Sequence, residues 1–261
     1  MEDWLGYGVE VKVEGELPKH PIYQKGTYTI TTPVNPKRTW NLPMYIRGIK
    51  RLNPAPKAVG IVTTREVFDE FFSGDPLFVF VAEHPDMELY MLDRIGMARE
   101  ALRIWFLKER KEEYQWWLDS DIEVFEDTAK LIMEELEKSN VLMFSNGVEG
   151  RGWGGGKGCT GIGCTMVHRD IADVGRFFVA RAVGKDGERA YICEDYMYFT
   201  AFMGAERILL HRFFPDKKGI RKAQREGFPT VHYLWDNRED FVPKHYDLLK
   251  EVLRKEEESG S

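Results

Sequence analysis

The stretch Tyr114-Gln115-Trp116-Trp117-Leu118-Asp119-Ser120-Asp121-Ile122-Glu123-Val124 decides the fold. Its first half is uncharged and apolar, as in a strand of a parallel sheet covered on both faces. Its second half delivers two carboxylates within three residues. Read as extended chain, residues i and i+2 point to one side, so Asp119 and Asp121 reach toward one site while Ser120 turns away. Ligands of open α/β sheets collect beyond the carboxyl ends of strands, where this pair stands. Two hard oxygen ligands suit a divalent cation, and the competing reading is a turn or a helix cap.

Working outward, the residues before this strand alternate between strand and helix signals. Residues 8–16 place Val9, Val11 and Val13 against Glu10, Lys12 and Glu14, the period of a half-exposed strand. Strands are expected over 27–32, 57–63 and 77–82, and helices over 43–52, 66–72 and 88–110. After it, Asp127 is expected to cap a helix running to Lys138, and residues 141–144 form another buried strand. Strands alternating with helices give an α/β domain around a mainly parallel sheet.

From 146 to 163 the texture changes. Nine of these eighteen residues are glycine, with Arg151, Trp153 and Lys157 between them, so the backbone can approach a ligand or serve as a linker. The G-x-G-x-x-G match at Gly150, Gly152 and Gly155 has no helix after it, and the Walker pattern fails at Arg151 and Gly158. His168-Arg169-Asp170 imitates a kinase catalytic loop, but Gly175 stands where that motif needs Asn. Beyond these decoys come a strand over 165–167, a short helix over 169–174 and a hairpin-like turn at 184–187. A helix opened by Glu194-Asp195 and ended by Gly204 follows, then a strand over 230–234 carrying His232, and an amphipathic helix over 243–255.

Composition sets limits. The chain has 261 residues, 43% hydrophobic and 31% charged, which fits one large globular domain with appendages. A net charge of −6 argues against general affinity for nucleic-acid backbone; the one dense basic stretch, Lys217-Lys218 to Arg225, is either a solvated face or a phosphate contact. Three cysteines without a C-x-x-C pair make neither a disulfide framework nor a zinc site, so a cytoplasmic location is expected. No apolar run approaches the roughly 18 residues of a membrane span, so no stable membrane insertion is expected.

Taken in succession, WWLDSDIEV, the glycine segment ending in GIGCTMVHRDI, CEDYMYFTAFMGAE and TVHY closely resemble the GT-A class of nucleotide-sugar glycosyltransferases, nearest its small, family-2-like members. The likeness is strongest from Arg94 to His232. It implies a Rossmann-like fold with a mainly parallel sheet, flanking helices and a small antiparallel portion. Residues 27–242 would be that domain, 1–26 an N-terminal β extension and 243–261 a C-terminal helix and tail.

The resemblance also assigns roles. By the resemblance, Asp119 would meet the ribose or nucleotide side of the donor and adjoin the metal, Asp121 and His232 would bind Mn²⁺ or Mg²⁺, Asp195 would be the base of an inverting transfer and Glu194 would orient the acceptor. Thr31-Thr32-Pro33 line the nucleotide edge with Arg38 nearby. Arg99 falls in Met97-Ala98-Arg99-Glu100, which is similar to the Ala-Arg-Asn segment of many members with Glu for Asn. Trp153 or Lys157 would contact sugar or phosphate. The donor would be a UDP- or GDP-sugar, and the acceptor a glycan, lipid-linked sugar, protein or modified nucleobase. Gln224-Arg225-Glu226-Gly227-Phe228 lacks the Q-x-x-R-W of processive members, so single addition is expected. No carboxylate after the second strand matches the one that reads uracil, with Thr64-Arg65-Glu66 or Glu83 as poor substitutes.

Rival readings are a sugar-phosphate nucleotidyltransferase, a non-catalytic nucleotide-sugar binder of the same fold, and a glycosidase using paired carboxylates. The first should carry a glycine-rich basic loop after the first strand, and the loop that follows Thr31-Thr32-Pro33 has no glycine.

Overall fold

The computed structural model describes residues 23–86, 89, 91–146, 162–177, 180–183, 189–192, 194–224 and 228–232. The strand expected over 8–16, the segment carrying Trp153 and Lys157, and the helix expected over 243–255 lie outside the described residues.

Four strands, β1 (Gln24–Pro33), β2 (Val59–Thr63), β3 (Phe78–Glu83) and β4 (Glu112–Leu118), run parallel in the order β3-β2-β1-β4. The helices α1 (Leu42–Lys50), α2 (Arg65–Phe71) and α3 (Met91–Glu109) make the crossovers. Beyond β4 the sheet continues through β7 (Cys164–His168), which is antiparallel to β4 and to β6 (Val141–Asn146) and runs directly into the short helix α5 (Arg169–Ala172). The outermost strand, β10 (Gly219–Gln224), is parallel to β6 and completes seven strands.

Side-chain alternation splits the core between the two faces of this sheet. Trp116 faces Tyr28, Ile30, Tyr45, Phe68 and Ile132, from α1, α2, α4 (Thr128–Ser139) and the strands beneath them. Trp117 faces Leu102, Phe106, Tyr198 and Phe202, from α3 and α6 (Glu194–Phe213). Each tryptophan is buried, so the apolar run in the sequence is explained by cover on both faces. Gly60 permits the closest of these approaches, since a Cβ there would lie 2.4 Å from the Trp105 ring of α3.

Three local expectations are corrected. The helix opened by Glu194 does not stop at Gly204 but runs to Phe213. An internal glycine costs about 1 kcal/mol against alanine, and burial of Phe202, Ala205 and Leu209 outweighs that. Asp127 makes no side-chain cap on α4; instead the Thr128 hydroxyl accepts the Phe125 N–H and donates to the Pro229 carbonyl, both at 3.0 Å. The basic stretch around 217–225 contains a sheet strand, β10. Its Arg221 donates to Ser145 Oγ and stacks over Phe199, and its Lys222 pairs with Glu135.

Two small antiparallel pairs complete the described chain. β8 (Ala180–Val183) and β9 (Arg189–Ile192) pair antiparallel, and the turn expected at 184–187 lies outside the described residues. The other pair joins β5 (Ile122–Val124) to β11 (Thr230–His232). Among the described residues no helix is long and apolar enough to cross a membrane.

Candidate active site

The carboxyl end of β4 carries the acidic pair, but not in extended chain. The strand stops at Leu118, and the Ile122 N–H donates to the Asp119 carbonyl at 3.1 Å, closing a four-residue turn before β5 begins. The expectation that Asp119 and Asp121 share a side by strand alternation is therefore replaced by a turn that presents both at the sheet edge. Ser120 does not simply turn away; it is buried and its carbonyl is held from α1.

Three contacts fix this turn. Arg99, on the inner side of α3 and 4% exposed, donates from Nη2 to Asp119 Oδ1 at 2.8 Å. The Asp119 N–H donates to the Gly163 carbonyl at 2.8 Å. A Cβ on Gly163 would lie 2.3 Å from Asp119 Oδ2, so this position must be glycine for the carboxylate to keep its place. On the other side, Asn41 Nδ2 donates to the Ser120 carbonyl at 2.9 Å.

Downstream of the turn, Glu123 is fully buried and paired with two arginines. Its Oε1 accepts from Arg47 Nε and Nη2 and from Arg51 Nη2, at 3.1, 2.7 and 3.1 Å. Arg47 and Arg51 are four apart and so share one face of α1. Arg51 also donates to the Val124 carbonyl at 3.0 and 2.7 Å. The close seat of α1 on β5 depends on Gly48, whose Cβ would meet Val124 N and O at 3.0 Å. Nothing in the sequence reading singled out Glu123; a carboxylate inside an apolar strand, with two arginines at helical spacing upstream, was the available signal.

The same β5 strand brings in the distant histidine. Thr230, Val231 and His232 pair with Val124, Glu123 and Ile122, so His232 stands opposite the residue that follows Asp121. Directly opposed antiparallel residues have Cα atoms about 4.5–5.5 Å apart. Two anchors hold this register: Thr128 to Pro229, and Asn146, which donates to the Phe228 carbonyl at 3.1 Å and accepts its N–H at 2.7 Å. The side chain of His232 lies outside the described part, and among the described residues no three His, Cys, Asp or Glu side chains form a metal-binding group.

The nucleotide-edge residues divide. Thr31 and Thr32 are buried on opposite faces of β1, and both hydroxyls are bonded within the fold. Thr31 Oγ1 accepts from Gln115 Nε2 at 3.2 Å, and Thr32 Oγ1 shares a short bond with Tyr45 OH. Burial, and then the Asp119 charge, pushes the Tyr45 phenol far above its ordinary range, so it stays protonated. Pro33 is half-buried, and Arg38 is exposed in the loop before α1.

Glu194 and Asp195 open α6 as read, although their side chains lie outside the described part. The start of that helix is fixed by its next turn. Tyr198 stacks on Phe177 at 4.2 Å, and Gly175 leaves the room for it, since a Cβ there would come within 2.5 Å of the Tyr198 ring. Phe177 is tied to α3 by its N–H to Glu100 Oε2 at 3.2 Å, and Glu100 also takes two bonds from Arg103. Burial raises the Glu100 pKa, but the bonds and charge of Arg103, the Phe177 N–H and Arg176 outweigh it, and the carboxyl sits below its ordinary range.

No protein-family model matches the chain, and no curated protein matches it in sequence. Solved structures do align with it in shape. The S. aureus TarS 1-349 structure matches at 11% identity over 58% of this chain and 50% of that one, with a TM-score of 0.41. Its complex with UDP-GlcNAc matches at 10% identity over 77% and 60%, with a TM-score of 0.44. A glycosyltransferase involved in the glycosylation of the major capsid of PBCV-1 matches at 17% identity over 87% and 99%, with a TM-score of 0.40. The chain spans half the length of the first of these.

Proposed function

We propose that this chain is a metal-dependent GT-A glycosyltransferase that moves a sugar from a nucleoside diphosphate to an acceptor hydroxyl. The observation that carries the reading is the register of β11 on β5, which brings His232 beside the Asp119–Asp121 turn from 111 residues away in sequence. That pairing supports the donor set expected from the resemblance, Asp121 and His232 with Asp119 adjoining. A carboxylate and imidazole set suits Mn²⁺ or Mg²⁺. Bound there, the ion would neutralise charge on the departing diphosphate.

The chain's own residues supply the rest. Arg99 fixes the orientation of Asp119 toward the donor, and α1 holds the turn in place through Asn41, Arg47 and Arg51. The Asp195 carboxylate takes the proton of the acceptor hydroxyl, whose oxygen forms the new bond to the anomeric carbon. The bond from that carbon to the diphosphate breaks on the opposite face, and the configuration inverts. Such a base contributes about 10²–10⁴-fold in rate. Glu194 orients the acceptor, and the segment bearing Trp153 and Lys157 meets sugar or phosphate. Addition is single rather than processive, and the donor is a UDP- or GDP-sugar.

A thermal-shift panel of UDP- and GDP-sugars with and without Mn²⁺ tests this reading. Stabilisation by one nucleotide sugar, dependent on the metal, is expected; no shift with any of them contradicts it. Asp195→Asn should keep that shift and lose transfer. Full turnover in this variant would remove the base assignment.

A further inference from the structure

Helix α3 presents an apolar stripe to solvent. Met97 is 53% exposed and Ile104 is 37% exposed, and the half-buried Ala101 fills the turn between them, so the three share one face. Single exposed apolar side chains need no explanation, but a row of them on one helix does. Of the four large exposed hydrophobics among the described residues, two lie on this stripe. Asp93 continues the row at the start of the helix, and the exposed Lys108 continues it at the end. Because α3 follows β3 and precedes β4, Asp93 lies at the end of the sheet that carries the acidic turn and Lys108 at the opposite end.

The chain carries a segment that fits this stripe. Residues 243–255, outside the described part, place Tyr246, Leu249 and Leu253 at helical spacing with Val252 beside them. A helix of that length is marginal alone in water, and its apolar face needs cover. The step from Tyr246 to Leu253 equals the step from Met97 to Ile104, about 10 Å along either helix. Charge sets the direction. Glu256 and Glu257 continue the row past Leu253 as Lys108 continues it past Ile104, so a helix parallel to α3 sets acid beside base, whereas an antiparallel one sets acid beside Asp93. The connection allows it. His232 leaves β11 beside the acidic turn, at the end of the sheet where α3 begins, and residues 233–242 can span about 33 Å. We propose that residues 243–257 form a helix seated parallel to α3 on Met97, Ala101 and Ile104, which makes the stripe an internal docking surface of this chain. The seat lies on the helix that delivers Arg99 to Asp119.

Hydrogen exchange and methionine oxidation of the full chain, both read by mass spectrometry, test it. Amides over 246–253 should exchange about tenfold or more slowly than in a free peptide of that sequence. Met97 should oxidise several-fold more slowly in wild type than in Leu249→Gln/Leu253→Gln. The double variant Met97→Gln/Ile104→Gln keeps good helix formers on α3 and should release 246–253 to the free-peptide rate, with β1 and β4 still protected as the sign of an intact fold. If it does not fold, the oxidation comparison decides. Unprotected amides in wild type, or protection that survives in Met97→Gln/Ile104→Gln, overturns the proposal. So does a Met97 oxidation rate that is unchanged in Leu249→Gln/Leu253→Gln. Protection of Met97 that falls on dilution, with light scattering giving the mass of two chains, assigns the stripe to a second copy and overturns it equally.

Discussion

The two ends of β4 each carry a pair of acids, and the fold treats them differently. At the start, Glu112 is buried and accepts from Arg110 at 2.8 and 3.2 Å and from Thr29 Oγ1 at 2.9 Å. Glu113 accepts the Gly26 N–H at 2.6 Å and stands 3.4 Å from His168 Nε2. These carboxylates tie strands to each other. At the far end, Asp119 and Asp121 sit in a turn at the sheet edge, with the Asp119 side chain 20% exposed and an unmatched amide oxygen on Asn41 next to them. One pair ties strands together, and the other stands in the turn where β4 ends, with Asp119 bonded to Arg99 of α3.

The largest effect that would break this contrast is on turnover. Asp121→Ala should lower Mn²⁺-dependent sugar transfer by about a thousandfold, while its melting temperature stays near wild type; calorimetry and a transfer assay read the two. Glu112→Ala should do the reverse. Loss of one partner from a buried ion pair costs about 3–5 kcal/mol, read by urea unfolding, and nucleotide affinity at a folded-state temperature should be unchanged. Gly163→Ala should affect both, because its methyl group forces the Asp119 carboxylate aside. About 1–3 kcal/mol of stability and roughly tenfold of nucleotide affinity are expected to go together in that variant.

The smallest effect is on pH. Burial raises the Glu112 pKa, but Arg110, Thr29 and a backbone N–H override it and hold the carboxyl below its ordinary range. Glu100 behaves likewise through Arg103. Groups depressed in the folded state contribute stability that is complete above the unfolded pKa of about 4.3 and is lost as pH falls through the folded value. Urea midpoints should therefore be level above about pH 5 and decline below it. Glu112→Gln should flatten that decline.

Much of this was legible in sequence, because hydrophobic period and acid spacing are local signals. Trp116-Trp117 announced a strand covered on both faces, and Glu194 marked the start of α6. What was not legible depends on contacts between distant residues. Gly204 reads as a stop until the burial of Ala205 and Leu209 is known, and 217–225 reads as a solvated basic run until β10 is seen beside β6. The acidic pair itself was found for a geometric reason that the turn at Ile122 replaced. Glu123 and Asn41 escaped notice because their partners are distant in sequence, Arg47 and Arg51 for Glu123 and Ser120 for Asn41.

The most direct measurement is calorimetric titration of UDP- or GDP-sugar into wild type, Asp121→Ala and His232→Ala, each with and without Mn²⁺. Both variants should lose the metal-dependent part of the affinity to the same extent, and the double variant should lose no more, as for two ligands of one ion. Metal-dependent binding that persists in His232→Ala, or losses that simply add, would place the two residues at separate sites and contradict the account.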